Sequence, residues 1–223
     1  MQESIAPLAE RLRPKNFDEF FGQEELVGEG KFLRELIRQD NVPSMIFWGP
    51  PGTGKTTLAH LIAHETKANF QELSAVGSGV VELRKIVADA EKLKNFNGKR
   101  TILFIDEIHR WNKAQQDALL PHVERGVVTL IGATTENPSF EVISPLLSRT
   151  RVFILQPLSA IALERILDNA LKAVGAKAGK DAIHFLVQSA NGDARIALTA
   201  LDIAVKMSPS ISIETLKAVF QKT

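Results

Sequence analysis

The stretch Gly49-Pro50-Pro51-Gly52-Thr53-Gly54-Lys55-Thr56 constrains this chain more than any other. It fits the spacing G-x-x-x-x-G-K-[ST]. It stands between an apolar segment, Ser44–Trp48, and a helical pattern from about Lys55 in which Leu58, Leu61, Ile62 and Glu65 recur. A strand that turns through glycines into a helix gathers backbone N–H groups and the positive end of a helix dipole around one point. That point suits a chain of phosphates. Lys55 is placed to reach the β- and γ-phosphates of a nucleoside triphosphate, and the Thr56 hydroxyl to ligate Mg²⁺. The expected nucleotide contacts are Gly49, Pro50, Pro51, Gly52, Thr53, Gly54, Lys55, Thr56 and Thr57, with ATP and Mg²⁺ as cofactors.

A second element follows. Ile102-Leu103-Phe104-Ile105 is continuously apolar, as a strand buried on both faces must be, and it runs straight into Asp106-Glu107. Ligands of open α/β sheets bind at the carboxyl ends of strands. The spacing therefore predicts that Asp106 lies beside Thr56 and holds Mg²⁺, and that Glu107 orients and deprotonates an attacking water.

Strands are predicted at Ser44–Trp48, Asn69–Leu73, Thr101–Ile105, Val127–Ala133 and Arg151–Leu155, with helical patterns between them. Strand–helix alternation of this kind gives a parallel α/β sheet flanked by helices. After Gln156-Pro157 only helical patterns remain: Ile161–Val174, Ala182–Ala190, Ala194–Val205 and Ile213–Phe220. The expected division is an α/β nucleotide-binding domain over 1–156 and a small all-α domain over 157–223. With 223 residues and a net charge of +1, the chain is no polybasic nucleic-acid binder, so any such surface must be local. It contains no cysteine, which excludes disulfides, thiolate metal sites and a thiol nucleophile. No apolar run nears the roughly 20 residues that span a bilayer. Met1-Gln2-Glu3-Ser4 does not open a secretory leader, and the expected location is cytoplasmic.

Together these motifs resemble the AAA+ ATPase superfamily, whose core is a phosphate-loop NTPase sheet with a helical lid. The resemblance extends over further residues. Ile131-Gly132-Ala133-Thr134-Thr135 is similar to the family's sensor 1, with Thr135 at the aligned position. Leu147-Ser148-Arg149 resembles the Ser-Arg-Cys motif of clamp-loader relatives, which implies that Arg149 is a finger on a neighbour's ATP; Thr150 stands in place of the Cys. Gly192-Asp193-Ala194-Arg195 resembles sensor 2, which implies a γ-phosphate contact from Arg195. Arg13-Pro14 with Phe21-Gly22-Gln23 resembles the N-terminal box, which implies an adenine pocket at Arg13, Pro14 and Gly22. Ser74 stands where many relatives place an Asn that restrains the catalytic Glu.

A narrower likeness rests on Asp106-Glu107-Ile108-His109-Arg110, Asn112-Lys113, Gln115-Gln116-Asp117-Ala118 and Gly132–Glu141. These resemble the replication-associated recombination protein A family, which is related to the eukaryotic Werner helicase-interacting protein. That likeness implies an oligomeric ATPase acting at stalled replication forks. It also implies binding to forks and single-strand/duplex junctions, and a single-strand DNA-binding protein as partner. Members continue into a long C-terminal helical domain tied to tetramer formation, so a chain ending at Thr223 is expected to be a fragment or short form. The alternatives are a clamp-loader or branch-migration motor subunit, and a scaffold that holds ATP without hydrolysing it.

Other residues are read more plainly. His109 has no second ligand at metal spacing and is expected to relay contacts near the site. Trp48 and Trp111 are expected to pack in the interior. Lys92, Lys94, Lys99 and Arg100 form a solvated face.

Overall fold

A computed structural model describes residues 6–75 and 79–221; Met1–Ser4, read above for a leader, and the chain end at Thr223 lie outside the described residues. In chain order the elements are α1 (Leu8–Arg11), α2 (Glu24–Val27), α3 (Phe32–Arg38), β1 (Met45–Trp48), α4 (Lys55–Glu65), β2 (Asn69–Ser74), α5 (Val80–Asn97), β3 (Thr101–Asp106), α6 (Lys113–Glu124), β4 (Thr129–Thr134), α7 (Pro138–Glu141), α8 (Ser144–Leu147), β5 (Arg151–Ile154), α9 (Ala160–Val174), β6 (Lys177–Ala178), α10 (Lys180–Ala190), α11 (Ala194–Met207), β7 (Ser210–Ile211) and α12 (Ile213–Gln221). Short 3₁₀ turns lie at Phe17–Glu19 and Ile108–Arg110.

Contacts divide the described chain into two units. One comprises residues 25–49 and 55–155; the other comprises 6–24, 50–54 and 156–221. The boundary expected at 156/157 thus falls at 155/156. Residues 6–24, expected with the α/β domain, belong with the helical unit instead. The reason is Leu8, which is buried among Leu163, Ala197 and Leu201.

The first unit is built on a parallel sheet in the order β2-β3-β4-β1-β5. Its central strands are the apolar ones: Ile46, Phe47, Leu103, Phe104, Ile105, Leu130 and Ile131 are all fully buried. Phe104 packs on Phe70 of the edge strand β2, with ring centroids 6.0 Å apart. Against one face lie the apolar positions of α5 (Leu83, Val87, Ala90) and Leu119 of α6. α6 starts at a capping box, in which Asn112 Oδ1 accepts from the Gln115 N–H and Gln115 Oε1 accepts from the Asn112 N–H. α5 stops at Gly98, whose φ of 61° is the left-handed geometry that ends helices.

Register fixes what meets at the carboxyl edge. Trp48 lies opposite Thr134, Ile105 opposite Gly132, and Asp106 opposite Ser74. Gly132 is an interior strand glycine for a steric reason. A Cβ there would come within 2.7 Å of Ile46 Cδ1 and 3.2 Å of Ile108 Cδ1. The missing side chain makes room for Ile108, which is fully buried and anchors the turn after β3.

The second unit has its own core, including Leu163, Leu167, Leu186, Leu201 and Leu216 from α9 to α12. Ser159 caps α9 by accepting from the Ala162 N–H at 3.2 Å, and Asp193 caps α11 by accepting from the Arg195 and Ile196 N–H groups at 2.7 and 3.0 Å. The unit is not purely helical. β6 and β7 form a two-residue parallel pair, too short for sequence periodicity to register.

Candidate functional site

In the sheet unit, the chain leaves β1 at Gly49, whose N–H donates to Thr134 O at 3.2 Å. α4 opens at Lys55. The Lys55 side chain is buried, and its Nζ donates to Gly49 O at 2.7 Å, so the ammonium folds back across the base of the loop. Thr56 and Thr57 follow in the first turn, both half-buried. That turn contains no acidic residue, so no side-chain charge of its own offsets the positive end of the helix dipole.

β3 delivers the carboxylates. Asp106 is its last residue, half-buried, and its Oδ1 accepts from the Glu107 N–H at 3.1 Å. Burial pushes the Asp106 carboxyl above its ordinary range, and the nearby charges of Glu107 and Glu72 push the same way against the pull of the Glu107 N–H and of Lys55. A carboxyl group in that position suits a divalent cation. Among the described residues no group of three or more His, Cys, Asp or Glu could hold a metal alone.

An isolated raised carboxyl has a measurable cost. The folded state holds the Asp106 proton more tightly than the unfolded state, so stability is lost as pH rises from the ordinary value of 3.8 through the raised one. In chelator and without nucleotide, Asp106→Asn is expected to melt above the wild type at neutral pH. Its advantage should vanish below pH 3.8, where both forms are neutral. Thermal melts across this pH range check it; equal melting temperatures at pH 7 would count against the charge imbalance.

Glu107 itself lies in the left-handed region, at φ 54° and ψ 46°. A non-glycine residue there is uncommon and costs of order 1 kcal/mol or more, and such residues cluster at functional sites. The turn after it places His109 back over the strand ends. His109 Nε2 lies 3.2 Å from Glu107 Oε2, and Nδ1 lies 3.0 Å from Thr134 Oγ1. Thr134 is fully buried, and the Glu136 N–H donates to its hydroxyl at 3.0 Å. Thr135, the aligned sensor position, lies one residue past the strand end and is half-buried. Trp111 packs in the interior as expected, whereas Trp48, directly before the loop, is only half-buried.

Arg149 is elsewhere. Its Nη2 pairs with Glu124 Oε1 at 2.5 Å, and its Nη1 donates to Pro145 O at 2.8 Å and Ser148 Oγ at 3.0 Å. With Ser44, Val123 and Glu124 it lines an open hollow of about 510 Å³. Ser44 precedes β1, and its carbonyl accepts from the Arg151 N–H at the start of β5. Arg149 therefore sits at the amino edge of the sheet, whereas Gly49, Asp106 and Thr134 sit at the carboxyl edge.

In the helical unit, loop residues 50–54 are held by two devices. The Ala194 N–H donates to Gly52 O at 3.1 Å, which puts Arg195, itself exposed, one residue from a backbone bond to the loop. The contact is so close that a Cβ on Gly52 would fall 1.8 Å from Asp193 Oδ1, and its φ of 68° also requires glycine. The second device is Gln23, whose amide donates to Thr53 O and Gln156 O while its Oε1 accepts from the Gln156 N–H. Sequence reading placed Gln23 in a motif but gave it no role. Thr53 Oγ1 donates to Pro50 O at 2.9 Å. Pro50 and Pro51 are exposed, and Gly54 turns at φ 96°. Arg13 pairs with Glu10 at 2.5 Å, and Pro14 follows it in the same stretch. Gly22 abuts Leu158, which a Cβ there would strike at 2.4 Å.

The basic face is largely engaged. Lys94 Nζ donates to Gly126 O at 2.8 Å, Lys92 pairs with Asp89, and Arg100 pairs with Asp40. No helix among the described residues is long and apolar enough to cross a membrane.

Residues 45–158 match the family model described as the ATPase family associated with various cellular activities (AAA). The chain is 47% identical over 212 residues to replication-associated recombination protein A of Escherichia coli K12, covering 92% of this chain and 47% of that protein. It is 46% identical over 211 residues to ATPase WRNIP1 of Dictyostelium discoideum, covering 92% of this chain and 24% of that protein. The chain thus spans about half the length, or less, of such relatives. Among solved structures it is similar to the RuvB Holliday junction branch migration motor of Thermotoga maritima. The TM-score is 0.76 at 29% identity, covering 95% of this chain and 72% of that one.

Proposed function

Because the chain belongs to the AAA family of ATPases, we propose that it binds ATP with Mg²⁺ and hydrolyses it, and that it forms the motor part of a protein working on DNA at stalled replication forks. The observation that carries the reading is the meeting, at one sheet edge, of Lys55 folded over Gly49 and of Asp106 followed by Glu107. Magnesium would be held by the Thr56 hydroxyl and Asp106, and when bound it supplies charge neutralisation to the β- and γ-phosphates. Lys55 swings from the Gly49 carbonyl to the phosphates. The loop N–H groups of Gly49 to Thr57 cradle them. Glu107 orients and deprotonates the water, and Thr135 holds the γ-phosphate from the end of β4. Arg195 reaches the γ-phosphate from α11. Arg13, Pro14 and Gly22 border the adenine.

Arg149 is read as a finger for the site of a neighbouring copy, and the working form as a homo-oligomer; its place at the opposite edge of the sheet from Asp106 supports that reading. Forks and single-strand/duplex junctions are its proposed DNA substrate, and a single-strand DNA-binding protein its proposed partner; the relatives' names, which concern replication and recombination, support DNA as the substrate class. The likeness to RuvB favours a second reading, a branch-migration motor. ATP turnover against protein concentration, with forked DNA, four-way junction DNA and no DNA, separates the readings. Stimulation by forks supports the first reading and stimulation by junctions alone the second. No turnover at any concentration leaves a non-hydrolysing scaffold.

Lys55→Ala is expected to weaken ATP binding by about 100-fold, because hydrogen bonds to charged groups contribute roughly 1.5–3 kcal/mol and each 1.4 kcal/mol is tenfold. Calorimetric titration checks it; wild-type affinity would overturn the phosphate-loop assignment.

A further inference from the structure

The side chain whose contacts exceed any role assigned so far is His109. It touches Glu107 through one ring nitrogen, at 3.2 Å, and Thr134 through the other, at 3.0 Å. Its side chain is only 13% exposed, and the Thr134 hydroxyl is wholly buried. Two elements thus meet on one imidazole: the turn after β3, which carries the carboxylate, and the end of β4, which leads directly into Thr135.

Proton accounting orients the bridge. A lone pair on Nε2 would face a carboxylate oxygen, so Nε2 carries the proton and donates to Glu107. The Thr134 hydroxyl oxygen faces Nδ1, and the hydroxyl proton is directed to Glu136 O at 3.1 Å. The hydroxyl oxygen in turn accepts from the Glu136 N–H. The result is a continuous run of contacts from the Glu136 backbone through Thr134 and His109 to Glu107. We propose that His109 is a positioning residue: fixed by Thr134, it holds the Glu107 carboxylate in the orientation needed to act on water, and it carries the state of the β4 end to that carboxylate.

The contact has a further reason to exist. Glu107 is held in left-handed backbone geometry, which is uncommon for a non-glycine residue and persists only where surrounding contacts fix it. The histidine supplies a charge-assisted partner to that carboxylate from the far end of the turn. This rests on the reading of Glu107 as the residue that activates water.

Two measurements on the full chain decide it. In nitrogen-resolved NMR of the histidine rings, with the His109 signals identified by their loss in His109→Gln, Nε2 is expected to be protonated and bonded to the Glu107 carboxylate. Thr134→Val should shift the Nδ1 signal. An unprotonated Nε2, or indifference to Thr134→Val, overturns the bridge whether or not ATP is hydrolysed. In steady-state kinetics His109→Ala is expected to lower kcat about 10-fold with KM for Mg·ATP unchanged. His109→Gln, whose amide N–H can still donate to Glu107, should recover most of it. A kcat within twofold of the wild type in His109→Ala, or a Gln variant as slow as Ala, overturns the positioning role. If the wild type itself shows no turnover, the hydrolysis reading fails, and the bridge stands or falls on the ring spectra.

Discussion

Arg149→Ala is expected to bind ATP nearly as tightly as the wild type and to turn it over about 10³-fold more slowly or worse at concentrations where the wild type assembles, since arginine fingers contribute 10³–10⁵ in rate elsewhere. The geometry explains the split between binding and turnover. Arg149 lies at the amino edge of the sheet with Glu124 and Ser44, and the phosphate loop leaves the carboxyl edge. Removing the guanidinium therefore costs a protomer nothing at its own loop. The ion pair with Glu124 does not argue against a mobile finger. Both groups are about 40% exposed, and pairs of that kind contribute roughly 0–1 kcal/mol, far less than a guanidinium gains on a transferring phosphoryl group. Wild-type turnover per protomer should also climb with concentration. A variant as active as the wild type, or rates independent of concentration, would remove Arg149 from the site.

Glu107→Gln should be the complementary defect. The amide keeps the shape of the side chain and its contact distance to His109 but cannot take a proton from water. The expected loss is 10²–10⁴ in kcat with ATP and Mg²⁺ binding retained. Mixing the two defective proteins is then the sharpest test. At some interfaces of a mixed assembly an intact Glu107 faces an intact Arg149, so activity should reappear although neither parent has it. A mixture as slow as its parts, under conditions where the wild type assembles, would mean that finger and carboxylate act within one protomer or not at all. Ordinary turnover by Glu107→Gln alone would move water activation to another residue.

The parts of this site that could be read from sequence share a property: they depend on local order. The loop from Gly49 to Thr56 is contiguous, and β3 announces its end because an apolar run breaks into two carboxylates. The central strands β1, β3 and β4 were legible for the same reason, each being a short, largely apolar block between turns. What sequence did not reveal depends on register. His109 and Thr134 are 25 residues apart, and only the β3–β4 pairing brings the turn after one strand over the end of the other. Gln23 reaches Gln156 across 133 residues. Leu8 joins the helical core through a contact that a single leucine in a four-residue helix does not signal. Sequence likewise named Thr135 as the polar residue of the β4 end. Which of the two adjacent threonines is engaged within the protein is a matter of strand phase, and it is Thr134 that points inward.

The two tryptophans have an optical consequence. The chain contains no tyrosine, so its near-ultraviolet emission comes from Trp48 and Trp111 alone. Trp48 is the last residue of β1, half-buried, immediately before the loop. Trp111 follows the turn carrying Glu107 and His109, is 3% exposed, and has a buried indole N–H with no hydrogen-bond partner among the described residues. An indole shielded in this way emits in the blue and responds little to solvent quenchers, whereas its partner beside the loop remains accessible to them. The protein thus contains its own pair of dyes, one ending the strand that leads into the loop and one in the interior of the sheet unit. Iodide quenching with and without nucleotide would read the loop through Trp48 against a steady internal reference, with no label attached.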